Sequence, residues 1–181
     1  MDKKTNPIAL QSKERIVEAL FDLLYVKPFP CITISEIAEN AELDRRTFYR
    51  HFSTKEDIIS HYVREASKQY EDVMKQAATF DNFLIAKAFF EVCESNKETL
   101  QILYKQNLLH LLLPDFSVIF NECWKRFASL EELQQENSEY CLAYHTGGFW
   151  NLLIKWLEED CRNTSEQMGE IIENILLAKQ I

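Results

Sequence analysis

The sequence predicts an all-α protein in which an N-terminal three-helix head, built on a helix-turn-helix, joins a C-terminal helical body. Three observations carry this expectation. With three Gly and four Pro in 181 residues, little material is available for the turns of a β-protein. Apolar residues recur at spacings of three and four over most of the chain, the period of amphipathic helices. Thr33, Asp44 and Ser53 are followed three residues later by Glu36, Thr47 and Glu56, which sets three helix starts within about two dozen residues.

The first helix ends near Tyr25 and presents Ile16, Val17, Leu20 and Leu24 at helical spacing. Behind it, Lys27-Pro28-Phe29-Pro30-Cys31 makes a rigid connection, because each pyrrolidine ring fixes its φ. Thr33 with Glu36, and Ser53 with Glu56, have the spacing of capping boxes, in which a side-chain oxygen and a carboxylate satisfy orphan backbone donors reciprocally. Ile34, Ile37, Ala38 and Leu43 form one apolar face that Phe48 and Phe52 extend. Residues 33–52 thus enclose a small core as a helix-turn-helix. The helix starting at Ser53 carries a stripe of Ile59, Tyr62, Val63, Ala66, Tyr70, Val73, Met74 and Ala77, and should run from head into body without a break.

In the body, Asp81 caps a helix containing Ile85, Ala88, Phe89 and Val92, and a shorter segment covers 97–104. After Pro114, the stripe Phe116, Ile119, Phe120, Cys123, Phe127 and Leu130 defines another helix, with 131–138 as its end and a loop. The next helix, 139–157, gathers Tyr140, Ala143, Tyr144, Gly147, Asn151 and Ile154 on one side. Glycines inside a helix cost about 1 kcal/mol each relative to Ala, so Gly147 and Gly148 suggest that another backbone approaches there. A final helix, capped by Asn163 or Thr164, shows Met168, Ile171, Ile172, Ile175 and Leu176 on one face. Both stripes suit a partner.

What the small core of the motif leaves outside is chemically uneven. Arg45, Arg46, Thr47, Tyr49, Arg50 and His51 crowd its second helix, and Lys55 follows in the first turn of the next. Guanidinium groups pair bidentately with guanine edges in the major groove, while Thr, Tyr, His and Lys suit phosphate oxygens or thymine methyls. The second helix therefore has the chemistry of a recognition helix for double-stranded DNA.

From about Ser12 to Arg64 the chain resembles the TetR/AcrR family of bacterial transcription regulators, through Thr33, Ile37, Ala38, Thr47, Phe48, Tyr49, His51, Phe52 and Lys55. The resemblance implies a DNA-binding domain at 9–69 and an effector-binding and dimerisation domain at 70–181. It implies that Arg45, Arg46 and Thr47 face bases, that Tyr49, His51 and Lys55 clamp phosphates, and that Thr33 holds the backbone at the start of the first motif helix. It also implies a homodimer on a palindromic operator, with Tyr140, Tyr144, Gly147, Asn151, Ile154, Met168, Ile171, Ile172 and Ile175 in the interface. A small-molecule effector would enter the body, pivot the helix from Ser53 and release the DNA; repression is the commoner outcome in the family. The aromatic content of the body points to an apolar or aromatic effector, with Phe89, Tyr104, Phe120 and Trp124 as candidate pocket residues. Two alternatives stand beside this reading. One is a dimeric helical protein acting through a protein partner. The other is an activator, because Gly147-Gly148-Phe149-Trp150 and Lys155-Trp156-Leu157-Glu158 resemble dihydroxyacetone kinase activators. The motif departs from the family at Glu42, where the turn usually carries Gly, and in the proline-bearing loop ahead of it.

Composition fits a soluble, cytoplasmic bacterial protein. Met1–Pro7 is polar with no apolar segment behind it, and the run Leu108–Leu113 is broken by His110 and stopped by Pro114, far short of the roughly 20 residues of a membrane span. Of the net charge of −9, none lies in residues 1–64, where ten Lys and Arg balance ten Asp and Glu; residues 65–181 carry ten against nineteen. An acidic body repels phosphate and confines contact to the basic tip of the head. Five cysteines, Cys31, Cys93, Cys123, Cys141 and Cys161, include no Cys-x-x-Cys pair, and His110 and His145 lie on apolar stretches, so neither a disulfide framework nor a metal site is indicated. No phosphate-binding loop, nucleophile elbow, zincin motif or dinucleotide fingerprint occurs, so neither catalysis nor a cofactor is expected.

Overall fold

The computed structural model describes residues 7–76, 81–127 and 137–177, without the side chains of Ile8, Gln76, Trp124, Arg126 and Phe127. Within them the regular structure is helical: α1 (Pro7–Val26), α2 (Ile34–Asn40), α3 (Arg45–His51), α4 (Glu56–Gln76), α5 (Asn82–Ser95), α6 (Lys97–Lys105), α7 (Leu113–Phe127), α8 (Ser138–Glu158) and α9 (Ser165–Leu177), with 3-10 turns at Phe29–Cys31 and Leu109–Leu111. The expected helix end and loop at 131–138, between the stripe that follows Pro114 and the 139–157 helix, lies largely outside the described residues, as do Ala77 and Leu130.

The head forms because three short elements share one buried seam. Ile16, Leu20 and Leu24 of α1 meet Ile37 and Ala38 of α2, Phe48 of α3, Phe52 and then Ile58 and Ile59 of α4, all buried. Each short helix is fixed at its start by side-chain chemistry. Thr33 Oγ1 accepts from Glu36 N–H at 3.3 Å and Glu36 Oε2 accepts from Thr33 N–H at 2.9 Å, a complete capping box. Asp44 Oδ1 accepts from Thr47 N–H at 2.6 Å at the start of α3. The third start lies one residue beyond the expected Ser53–Glu56 pair. Thr54 Oγ1 accepts from Asp57 N–H at 3.2 Å, and Asp57 Oδ2 accepts from both Ser53 and Thr54 N–H at 2.9 Å. One carboxylate thereby satisfies two orphan donors, which the Ser53–Glu56 register would not do.

The tight turn between α2 and α3 places Glu42 at φ 52°, the left-handed conformation that the sequence assigned to a usual glycine position. Its carboxylate pairs with Arg15 of α1. The proline-bearing connection folds as the Phe29–Cys31 turn with Phe29 buried, and two long side chains clamp it. Lys55 donates to the carbonyls of Phe29 at 2.6 Å and Ile32 at 2.9 Å, its ammonium 4.3 Å from the Phe29 ring centre. From the body, Gln106 at the end of α6 donates to Leu24 O at 2.8 Å and accepts from Phe29 N–H at 3.3 Å.

α4 is one uninterrupted helix that packs against α1 in the head and against α5 and α7 in the body. Asp81 caps α5, accepting from Leu84 N–H at 2.7 Å, and Thr164 rather than Asn163 caps α9, accepting from Gln167 N–H at 3.3 Å. α9 lies along α5. The contact is close because Gly169 is buried there: a Cβ on it would sit 2.9 Å from the Phe83 ring. Phe90, Leu103, Phe149, Leu153, Trp156, Met168 and Ile172 complete the body core, which is continuous with that of the head.

Candidate nucleic-acid interface

α3 owes its reading face to its amphipathic register. Phe48 points fully inward and Phe52 follows it, stacked obliquely at 6.2 Å, so the residues around them are turned outward. Arg45, Arg46, Tyr49 and Arg50 are exposed and Thr47 is half-buried. Tyr49 packs its ring edge-on to Phe48 at 5.5 Å and keeps its hydroxyl end at the surface. Three acids of the head are engaged elsewhere: Glu36 with Lys27, Glu42 with Arg15, and Asp44 with the α3 backbone. Among the described residues no ion pair occupies Arg45, Arg46 or Arg50. A head of balanced charge thus presents uncompensated cations on one short helix. The N-terminal dipole of that helix adds to them.

The remaining predicted contacts are placed differently. Thr33 is exposed and holds the start of α2 through its capping box. His51 is half-buried, and its Nε2 is enclosed without a hydrogen-bond partner among the described residues. Burial, with Arg50 and Lys13 nearby, holds its imidazolium below the usual histidine range, so the ring is neutral near pH 7. Lys55, expected at a phosphate, is turned into the loop and donates to two carbonyls. Gln106, which sequence reading did not single out, shares that loop. Its only signal was a polar residue where an apolar stripe ends.

In the body, α8 has two faces. Phe149, Leu153, Trp156 and Leu157 are buried, while Tyr140, Ala143, Tyr144 and Asn151 lie on the opposite side and are exposed. Tyr140 is 79% and Tyr144 54% exposed, a large aromatic area to leave in water. Among the described residues nothing lies within 4 Å of a Cβ added at Gly147 or Gly148, so the two glycines meet no described neighbour outside their own helix. Asn151 donates to Gly147 O at 2.7 Å, and Ile154 is half-buried against the core. The stripe of α9 divides. Ile171 and Ile175 are exposed, but Met168 and Ile172 face α5 and belong to the core of the protomer. At 100° per residue these four positions span a wide arc, and the buried Gly169 pulls its centre toward Met168 and Ile172.

Residues 12–62 match the profile of bacterial regulatory proteins of the tetR family, and residues 81–178 match that of a transcriptional regulator C-terminal region. The chain belongs to the TetR family of transcriptional regulators. This is a family of regulators, not of enzymes. The HTH-type transcriptional regulator AlkX of Mycobacterium tuberculosis is 25% identical over 126 residues, 64% of this chain and 60% of that protein. The solved structure of Lin0861 from Listeria innocua superposes with a TM-score of 0.80 at 16% identity, covering 99% of this chain and 97% of that one. The dihydroxyacetone kinase operon activator DhaS superposes with a TM-score of 0.59 at 16% identity, covering 93% and 95%. At such identities both structures speak for the fold alone. The chain spans between 23% and 60% of the length of the curated relatives it matches.

In this TetR-family chain a half-enclosed cavity of about 90 Å³ lies among α4, α5, α7 and α8. Of the four aromatic candidates, Phe89 and Phe120 line it; Tyr104, half-buried on α6, does not, and the side chain of Trp124 is outside the described residues. Among the described residues no cluster of His, Cys, Asp and Glu could hold a metal ion, and no helix is long and apolar enough to cross a membrane.

Proposed function

We propose that this protein binds a palindromic DNA operator as a homodimer and represses transcription until a small-molecule effector releases it. The observation that carries the reading is the exposed set of Arg45, Arg46 and Tyr49, with half-buried Thr47 among them, on a helix whose opposite side is locked by Phe48. Arg45, Arg46 and Thr47 read base edges, and Tyr49 meets phosphate. His51 donates to phosphate as a neutral imidazole, and Lys55 acts by holding the loop beside the motif. The outer face of α8, with Tyr140, Tyr144, Gly147 and Asn151, joins Ile171 and Ile175 of α9 in the two-fold interface. A two-fold dimer sets two recognition helices in successive major grooves, about 34 Å apart.

The effector occupies the body cavity. Five of its lining residues, Tyr62, Val63, Ala66, Ser67 and Tyr70, belong to α4, which also carries the head. Displacing them tilts α4 and changes the spacing of the two α3 helices. A coupling of roughly 1 to 3 kcal/mol between the sites is enough for a switch. The test is selection of genomic fragments by the purified protein, followed by salt titration of the best one. The reading expects an enriched inverted repeat bound with a steep salt dependence; folded protein that enriches no sequence at low salt overturns it.

A further inference from the structure

We propose that the body cavity is built for a small, uncharged, hydrocarbon-like effector and rejects molecules of the same shape that carry a formal charge. The proposal rests on the regulatory reading above for the consequence of binding; the class of ligand follows from the cavity alone. Among the described residues no Asp, Glu, His, Lys or Arg lines the cavity, and no oxygen or nitrogen atom of theirs is left bare on its wall. Three of the polar side chains that border it are already engaged. Tyr62 donates to Asn96 Oδ1 at 2.6 Å, Asn96 donates in turn to Val92 O at 2.7 Å, and Ser67 donates to Arg64 O at 2.8 Å. Burial pushes the Tyr62 and Tyr70 hydroxyls and the Cys93 thiol upward in pKa, so each is neutral near pH 7.

A carboxylate or ammonium entering this space would lose its water and find no counter-charge among the described lining residues. Phe116, Phe120 and Trp150 instead offer ring faces and edges, with Phe116 5.5 Å from Trp150 and 5.8 Å from Phe120. Size narrows the class further. A cavity of roughly 150 Å³ in a rigid core accommodates benzene, so the 90 Å³ present here must widen for a single ring or a short chain. The widening acts on α4, because that helix supplies the largest share of the wall.

A matched series of 1-octanol, octanoate and octylammonium, identical in chain and different in charge, tests the proposal by calorimetry on the full chain at pH 7. We expect saturable binding of 1-octanol and binding weaker on the order of 100-fold or more for both ions. Either ion binding within about tenfold of the alcohol overturns the proposal, as does absence of saturable 1-octanol binding. Ala66→Phe fills the cavity and should abolish 1-octanol binding; retained binding by the folded variant places the ligand elsewhere and also overturns it. Should that variant fail to fold, Phe120→Ala enlarges the same space and should favour 1-decanol over 1-octanol, and an unchanged preference counts against the cavity. Operator affinity is measured separately with and without 1-octanol. Binding that leaves operator affinity unaltered upholds the ligand class and removes only the effector-release part of the regulatory reading.

Discussion

Glu36 illustrates how one side chain serves both local and long-range order. Its carboxylate accepts from Lys27, which reaches back from the end of α1, and from the backbone and hydroxyl of Thr33. These contacts, the Lys27 bond foremost, lower its pKa from 4.5 to about 2. Because the folded-state value is depressed, the stabilisation is complete above the unfolded value near 4.5 and is lost as pH falls from there toward about 2. Glu36→Gln should therefore flatten the acid limb of the stability curve within that window while shifting neutral-pH stability downward, measured by urea unfolding at stepped pH. At the tip, Arg45 and Arg46 carry the specificity prediction. Both are exposed, so replacing them with Ala should leave the unfolding free energy within about 0.5 kcal/mol of the parent, as for other surface changes. Removing a guanidinium that pairs bidentately with a base should cost about 1–3 kcal/mol of operator discrimination, read by fluorescence anisotropy with operator and scrambled duplexes. The caps at Thr33 and Asp44 were legible in the sequence because an oxygen three residues ahead of its donor is a local signal. The inward turn of Lys55 was not, since its acceptors, Phe29 O and Ile32 O, lie in a loop whose path only the folded head defines.

Among the elements, α8 and α9 show what periodicity resolves and what it leaves open. The outward side of α8 was readable because its two apolar faces are half a turn apart, one aromatic with glycines and one built from Phe149, Leu153 and Trp156. On α9 the apolar positions form a single broad arc. Sequence alone cannot tell which edge of such an arc meets α5, and the expectation that Met168 and Ile172 face a partner failed for that reason. Gly169 decides the matter, and it escaped notice because a glycine adds nothing to an apolar stripe. The Phe83 ring and the Phe83 carbonyl oxygen, 3.2 Å from a Cβ at Gly169, fill the space a side chain would need. Gly169→Val should force α9 away from α5 and destabilise the protein by about 1–3 kcal/mol, the usual cost of overpacking. Thermal unfolding of the variant checks this. A value unchanged from the parent would mean that α9 slides freely on α5.

For the whole molecule, the distribution of charge and of exposed apolar surface separates two ends with different tasks. Residues 1–64 are balanced in charge while 65–181 carry nine more acids than bases, ten Lys and Arg against nineteen Asp and Glu. In the proposed homodimer an acidic body pairs with itself, and Tyr140, Tyr144, Ile171 and Ile175 form the uncharged surface on which it would do so. Burying aromatic and aliphatic side chains at the centre of that patch would oppose the repulsion between two acidic bodies, which is screened at physiological salt beyond a distance of about 8 Å. Dimerisation should then control operator affinity, because one α3 helix engages only one half-site. Tyr140→Glu combined with Ile175→Glu places two carboxylates per protomer in that surface at positions 79% and 45% exposed in the single chain. The folded monomer has room for both. The double variant should sediment as a monomer at micromolar concentration, retain native-like helicity, and bind a complete inverted repeat no more tightly than a half-site, a loss on the order of 100-fold or more for a protein whose two heads otherwise bind as one linked pair. Sedimentation as a dimer with full operator affinity would move the interface to another face of the body.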